Sequence, residues 1–146
     1  MALEIERKFL VRGDGYKSLA TSATEIKQGY LNRDPDRTVR VRVYGNAGML
    51  TIKSRNCGCV RNEWEYEIPR ADAEQLLSLC SDVIAKTRYR VGRWEIDEFH
   101  GKLSPLALAE IELNDAAEAF ELPDFVGDEV TGDARYYNSN LARGDE

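Results

Sequence analysis

The chain has 146 residues with 20 Lys or Arg and 26 Asp or Glu, so its formal net charge is −6, and this length predicts a single domain over residues 1–146. The acidic balance excludes a nucleic-acid binder that relies on overall basic charge, and no apolar run approaches the length of a membrane span. Since the N-terminus also has no signal-peptide pattern, we expect a cytoplasmic protein with no membrane or nucleic-acid partner.

The predicted elements are mainly strands. Alternating apolar and polar residues, bounded by turn residues, predict strands at 3–12, 25–32, 37–45, 49–55, 63–69, 84–91, 93–100 and 107–114. Helices are predicted at 16–24, at 73–80 with Asp72 as the N-cap, and at 115–120. From Pro123 onward the pattern predicts a partly irregular tail that becomes helical near residues 136–142.

The three cysteines are predicted to be free thiols. Cys57-Gly58-Cys59 lies in a predicted loop and Cys80 at the end of a predicted helix, and an odd number without a secretion signal argues against disulfides. A zinc site would need a second pair of ligands, which the single histidine, His100, cannot supply.

Residue parity separates charged from apolar side chains in the predicted strands, because successive side chains point to opposite faces. Arg7 and Glu98 are exceptions, since they fall on the apolar face. The charged face carries Glu4, Glu6, Lys8, Arg40, Arg42, Thr51, Lys53, Glu63, Glu65, Glu67, Lys86, Arg88, Arg90, Glu95, Asp97, Glu110 and Glu112. The apolar face carries Ile5, Phe9, Val39, Val41, Val43, Leu50, Ile52, Trp64, Tyr66, Ile68, Tyr89, Val91, Trp94, Ile96, Ile111 and Leu113.

The charges are also segregated by strand, some strands being acidic and others basic. An ordinary solvated surface mixes both signs, so this pattern favours a closed antiparallel barrel with a charged lumen over a sandwich with one solvated face. Helices would then cover the apolar outside of the barrel, and Trp64 and Trp94 would pack against them.

The charged lumen suits two kinds of ligand. Arg40, Arg42, Lys53, Lys86 and Arg88 suit a compact polyanion, since guanidinium groups match phosphate oxygens in pairs. A hard divalent cation such as Mg²⁺ or Mn²⁺ would suit the carboxylates of Glu4, Glu6, Glu110 and Glu112. The alternative is a lumen of compensating ion pairs with no ligand, which has little stability advantage over apolar packing.

Several ordered motifs resemble one family. Glu4-Ile5-Glu6-Arg7-Lys8 is similar to the ExExK motif of the CYTH, or triphosphate tunnel metalloenzyme, superfamily, and the resemblance continues along almost the whole chain. The further motifs are Gln28-Gly29-Tyr30-Leu31, Arg37-Thr38-Val39-Arg40-Val41-Arg42, Leu50-Thr51-Ile52-Lys53, Glu63-Trp64-Glu65-Tyr66-Glu67-Ile68-Pro69, Lys86-Thr87-Arg88-Tyr89, Trp94-Glu95-Ile96-Asp97, Ala109-Glu110-Ile111-Glu112-Leu113 and Val130-Thr131-Gly132-Asp133.

The resemblance implies an α+β fold, a single-domain eight-stranded antiparallel β-barrel that binds triphosphate and a divalent metal, Mg²⁺ or Mn²⁺, in its lumen. Carried over by motif, Glu63, Glu65 and Asp97 would assist a second metal or the attacking water, and Lys86 is counted among both the catalytic and the phosphate-binding residues. The metal ligands would be Glu4, Glu6, Glu110 and Glu112. The phosphate-binding residues would be Lys8, Arg40, Arg42, Lys53, Lys86 and Arg88.

The short opening motif is most similar to the inorganic triphosphatase branch, so the resemblance implies metal-dependent hydrolysis of inorganic triphosphate, and of nucleoside triphosphates as secondary substrates. An adenylyl cyclase of class IV type, a thiamine triphosphatase and a non-catalytic polyphosphate-binding module are the alternatives. The expected partner is a small-molecule triphosphate, and a homodimer is possible. The Cys57-Gly58-Cys59 loop and Arg90 depart from the family pattern.

Overall fold

The computed structural model describes residues 2–143. It contains nine strands, three short α-helices and two 3₁₀ turns, at Gly101–Leu103 and Ala134–Tyr136. The strands are β1 Ala2–Val11, β2 Ser22–Asn32, β3 Arg37–Tyr44, β4 Ala47–Ser54, β5 Val60–Ile68, β6 Val83–Val91, β7 Trp94–Phe99, β8 Ala107–Glu112 and β9 Val126–Glu129. The helices are α1 Tyr16–Leu19, α2 Arg70–Leu77 and α3 Asn138–Arg143. None of the helices in this part of the chain is long and apolar enough to cross a membrane.

The first eight strands close into an antiparallel barrel. Their order is β5-β4-β3-β2-β6-β7-β8-β1, and β1 pairs back to β5. Closure depends on β1, whose residues Ala2–Ile5 pair with β5 while Glu6–Leu10 pair with β8. The eight-stranded antiparallel barrel expected from the sequence is thereby confirmed.

The ninth strand, β9, was not predicted. The pairing of β1 with β5 ends at Ile5. Beyond that point β9 pairs with β1, at Phe9 and Val11. Arg7 binds Glu129 of β9 through two hydrogen bonds, of 2.7 and 2.6 Å. The prediction of an irregular tail was wrong here, because four residues are too few to show a clear alternation.

The predicted helices needed correction. No helix forms at 115–120, where side chains stabilise a turn instead: Asp115 accepts a hydrogen bond from the Ala117 amide and Glu118 from the Asn114 amide. The helix predicted at 16–24 is confined to α1, because β2 already begins at Ser22. The helix predicted at 73–80 begins at Arg70, directly after Pro69, and Asp72 lies in its first turn rather than at its N-cap.

Helix α2 packs closely on the outside of the barrel. Its Ala73 is fully buried, and a Cβ added at Gly48 of β4 would lie 2.8 Å from the Ala73 Cβ. A Cβ at Gly29 of β2 would likewise lie 2.8 Å from the Cys80 Cβ. These two glycines let the helix and the chain that follows it approach the sheet, which covers Val41 and Val43.

Another part of the outer surface is covered by the connection between β8 and β9. Trp94 packs in edge-to-face geometry against Phe120 and Phe125 of this connection and against Phe9 of β1. Trp94 therefore lies outside the lumen, as expected, but its aromatic partners come from a loop and a strand and not from a helix. Edge-to-face contacts of this kind stabilise a core beyond the area that they bury.

Candidate functional site

The lumen of the barrel holds a cavity of about 440 Å³ with a charged wall. Because strand residues alternate, the barrel strands turn most of their charged side chains inward and most of their apolar ones outward. Of the residues predicted for the site, those that line this cavity are Glu4, Glu6, Lys8, Arg40, Arg42, Lys53, Glu63, Glu65, Lys86, Arg88, Glu110 and Glu112. Asp97 does not line it, since it is buried against Lys86 and Arg88.

The basic part of the wall has more donors than acceptors. Arg42 donates to the Glu65 carboxylate at 2.9 Å, and the Thr51 hydroxyl donates to the same carboxylate at 2.8 Å. The Nε atoms of Arg40 and Arg42 are buried and have no acceptor within residues 2–143. Burial and the charges of Arg40 and Arg88 lower the pKa of Arg42 to about 10. An anion with several oxygens would satisfy these donors and offset the repulsion between the arginines.

Lys86 is the largest fully buried side chain in the described part of the chain. Its Nζ atom donates to Asp97 Oδ2 at 2.7 Å and to Asn138 Oδ1 at 2.9 Å. Burial lowers the pKa of Lys86 to about 7, although the nearby charge of Asp97 opposes this shift. Lys86 can therefore exchange a proton near neutral pH, which an ordinary lysine does not do.

Asp97 is held by two cations. Arg88 donates to both of its carboxylate oxygens, at 2.8 and 2.9 Å, in addition to the contact with Lys86. Although burial opposes its ionisation, the charges of Arg88 and Lys86 hold the pKa of Asp97 well below its usual range. The Asp97 carboxylate thus fixes the positions of Arg88 and Lys86. The assistance to a metal ion or water expected of Asp97 would have to act through these two residues.

The depressed pKa of Lys86 predicts a rise in stability with pH. Between about pH 7 and its unfolded value of 10.5 the unfolded chain binds one proton more than the native protein. From pH 7 to 9.5, the free energy of unfolding of the wild type should therefore rise by about 2–3 kcal/mol relative to Lys86→Met. Urea unfolding of both proteins at several pH values measures this difference, and parallel pH curves would contradict the shift.

The acidic part of the wall begins with an ion-paired group. Lys53 lies 3.2 Å from Glu4 and 3.2 Å from Glu63, and Arg61 lies 3.4 Å from Glu4. Burial opposes ionisation of Glu4, but the charge of Lys53 and a hydrogen bond from Glu63 lower its pKa. Glu63, by contrast, has a raised pKa because of its burial and the negative charge of Glu4.

Glu6 and Glu110 form a buried pair of like charge. The two carboxyl groups are close enough to share a hydrogen bond, and burial followed by the charges of Glu110 and Glu4 raises the pKa of Glu6 well above its usual value. Burial also opposes ionisation of Glu110, but the charge of Lys8 and the hydrogen bond from Glu6 lower its pKa to about 2. The raised pKa of Glu6 thus reflects its burial and its repulsion by neighbouring carboxylates.

This acidic group fits a hard divalent cation in its chemistry. Glu112 lies opposite Glu6 in the β1–β8 register, and Glu95 lies opposite Glu110 in the β7–β8 register, so oxygen ligands of like charge are concentrated on neighbouring strands. Mg²⁺ and Mn²⁺ prefer such ligands and would neutralise their repulsion. Within residues 2–143, however, no three acidic, His or Cys side chains converge as they do around a bound metal ion.

The C-terminal segment, residues 134–143, reaches the cavity. Lys8 donates to the Tyr136 carbonyl at 3.0 Å, and Asn138 contacts both Lys86 and Gln28. Arg61 was also missed, because it was assigned to a loop although it continues the alternation of Glu63 and Glu65 in β5. The other cavity residues without a predicted role include Tyr30, Arg33, Arg55, Asn56 and Tyr137.

The two departures from the expected pattern lie away from the cavity centre. Cys57, Cys59 and Cys80 are free thiols, as predicted, and Cys57 and Val60 form an isolated β-bridge in the loop. Arg90 is exposed and pairs with Glu95 at 2.6 Å. Neither feature adds a ligand to the main cavity.

Comparisons with known proteins agree with this geometry. The CYTH domain model matches residues 2–141. A protein of Acetivibrio thermocellus named inorganic triphosphatase is 49% identical over 98% of this chain and 95% of its own length. A protein of Nitrosomonas europaea with the same name is 40% identical over 95% of this chain and 96% of its own length. A crystal structure described as an inorganic triphosphatase superposes with a TM-score of 0.64 at 38% identity, over 95% of this chain and 97% of that one.

Proposed function

The chain belongs to the CYTH domain family, and we propose that it is an enzyme that hydrolyses inorganic triphosphate with the help of a divalent metal ion, Mg²⁺ or Mn²⁺. The observation that carries this proposal is the cavity inside the barrel, in which guanidinium and ammonium donors face a group of carboxylates. A phosphate chain matches the donors, and a hard cation matches the carboxylates. The two curated relatives named inorganic triphosphatase support this choice of substrate.

The phosphate chain binds along the basic wall. Arg40 and Arg42 offer buried Nε donors without an acceptor, and Arg88 is held in place by Asp97. Lys8 and Lys53 add further positive charge from β1 and β4. Glu65 and Glu63 contribute by orienting Arg42 and Lys53, which they contact directly. Fixed donors of this kind stabilise the charge that moves between phosphate oxygens during transfer.

Glu4, Glu6, Glu110 and Glu112, which line the acidic wall, would hold the metal ion. When bound, the ion would supply positive charge to the phosphate oxygens. Because a carboxyl group binds a hard cation in its ionised form, Glu6, whose pKa is raised, would bind the ion in competition with a proton.

Lys86 acts as the general base. In its neutral form the amine takes a proton from a water molecule as the water oxygen attacks the terminal phosphorus, the bridging P–O bond breaks, and pyrophosphate leaves. Its pKa of about 7 suits this role, since a general base is most effective when its pKa lies near the pH of the reaction. The burial of Lys86 next to Asp97 keeps the amine at one position in the wall.

Phosphate release from triphosphate, ATP and thiamine triphosphate, each with Mg²⁺, Mn²⁺ or a chelator, tests this proposal. We expect fastest release from triphosphate and a loss of at least about 100-fold in the chelator. Cyclic AMP and pyrophosphate formed from ATP would indicate a cyclase, and preference for thiamine triphosphate would indicate a thiamine triphosphatase. Tight triphosphate binding without turnover at any metal would indicate a binding module. The cytoplasmic location and the homodimer remain predictions.

A further inference from the structure

The C-terminal segment contributes a side chain to the Lys86 site. Asn138, the first residue of α3, places its Oδ1 atom 2.9 Å from Lys86 Nζ and 3.0 Å from Gln28 Nε2. Since lysine and the glutamine nitrogen are both donors, the Asn138 amide must present its oxygen to them and not its nitrogen. Because Gln28 is fully buried, its side chain is held in place. The Asn138 oxygen is therefore fixed by two donors, Lys86 and Gln28.

The Lys86 amine meets two acceptors. Asp97 lies at 2.7 Å and Asn138 at 2.9 Å, so together they take both N–H groups of a neutral amine. The remaining corner of the nitrogen carries the lone pair when Lys86 is neutral and the third proton when it is charged. The Phe99 ring lies 5.5 Å from the Nζ atom, and Lys86 lines the cavity, so a ligand there can meet the amine only where these neighbours leave it free.

A purely structural role for Asn138 and Gln28 fits the burial less well. The Gln28 Oε1 atom is buried and has no donor within residues 2–143. A buried acceptor without a partner opposes folding, and apolar side chains of similar size would join α3 to the barrel without this penalty.

We propose that Asn138 is a positioning residue: by accepting a hydrogen bond from Lys86 it turns the free corner of the amine toward the phosphate chain and the attacking water. Gln28 supports this role by holding the Asn138 oxygen in place. The inference rests on the proposed function, because it assigns Asn138 to the reaction at the same site.

The kinetic test compares Asn138→Leu and Asn138→Asp with the wild type from pH 6 to 9.5. Leucine removes the acceptor, so kcat for triphosphate should fall by about 10- to 50-fold while KM changes by less than about threefold, since Arg40 and Arg42 are untouched. Aspartate keeps an acceptor oxygen and should recover most of the kcat. Its added charge should move the acidic limb of the kcat profile to higher pH, while the other charged groups around Lys86 stay the same, namely Asp97, Arg88 and Glu110.

Arg135→Gln is the matched control. Arg135 lies in the same C-terminal segment, does not line the cavity and pairs with Asp133 at 2.7 Å, so its loss disturbs the segment without touching Lys86. We expect its kcat and pH profile to match those of the wild type. If Asn138→Leu also matches the wild type, or if its loss lies in KM alone, Asn138 has only a structural role.

A second measurement is independent of turnover. Nuclear magnetic resonance of the lysine ¹³Cε groups, with the Lys86 signal assigned by its loss in Lys86→Met, follows the titration of Lys86 in each variant. The midpoint should move upward in Asn138→Asp, and identical midpoints in the wild type and both variants would overturn the inference. An inactive wild type would contradict the proposed function, whereas an active wild type with unaffected Asn138 variants would contradict only the role of Asn138.

Discussion

Replacing Glu6 or Glu110 by glutamine is expected to reduce phosphate release from triphosphate by about 100- to 1000-fold. Burial and the charges of Glu110 on β8 and Glu4 on β1 raise the pKa of Glu6, and a cation beside these carboxylates would remove their repulsion. An amide offers one neutral oxygen instead of a charged carboxylate and binds a hard cation far less well. Initial rates at several Mg²⁺ concentrations, together with calorimetric titration of Mn²⁺, should show a weaker metal site in both variants.

Replacing Glu6 should also stabilise the metal-free protein. Burial and the charges of Glu110 and Glu4 raise the pKa of Glu6, so its ionisation opposes folding, and Glu6→Gln is expected to raise the free energy of unfolding by about 1 kcal/mol or more. Glu67→Gln is the matched control, because Glu67 shares the charged parity of β5 but is exposed and does not line the cavity. Its rate and stability should equal those of the wild type. A Glu6→Gln protein that is both active and less stable would show that the pair serves the fold and not a cation.

The barrel could be predicted because period-two alternation and charge agree along its long strands. In β3, Arg40 and Arg42 alternate with Val41 and Val43, and a shift of one residue would place every charge on the outer face. The same agreement holds in β1, β5 and β8, so parity assigned 13 of the 25 residues that line the cavity. Closure of the barrel required more than the pattern, since β1 has to divide its residues between β5 and β8.

The parity exceptions carried information about the parts that were missed. Arg7 falls on the outer face because it pairs there with Glu129 of β9, the strand that was not predicted. Glu98 also faces outward and lies 2.7 Å from Lys17 of α1. Each exception therefore marks a place where another element covers the barrel. A charge on an otherwise apolar face needs a nearby partner, which is a physical reason to look for such an element.

The candidate site was predictable where it depended on strand parity and not where it depended on tertiary contact. Asp97 has the parity of the lumen, but its contacts with Lys86 and Arg88 cover it, which no periodicity reveals. Asn138 reaches Lys86 from α3, far along the chain and without a charge or a repeat to mark it. Contacts of this kind depend on how the C-terminal segment docks, and local sequence pattern does not encode that geometry.

Replacing Lys86 by methionine is expected to lower kcat for triphosphate by about 100- to 10,000-fold, the range for loss of a general base. Lys86→Arg separates this role from phosphate binding, since arginine keeps the positive charge but cannot be deprotonated in proteins. If Lys86 is the base, both variants lose kcat. If it only binds phosphate, Lys86→Arg should retain most of the activity. Lys27→Met, at an exposed position of β2, is the control and should behave as the wild type.

The pH dependence of the wild type gives the same assignment an independent check. The pKa of Lys86 is about 7 without ligand, so kcat/KM should rise with pH through this value as the amine becomes neutral. A bound phosphate chain adds negative charge beside the amine and favours its charged form. The rise of kcat with pH should therefore occur at higher pH than the rise of kcat/KM. Neither rise should be present in the residual activity of Lys86→Met. A rise near pH 7 that persists in this variant would assign the titration to another group and exclude Lys86 as the base.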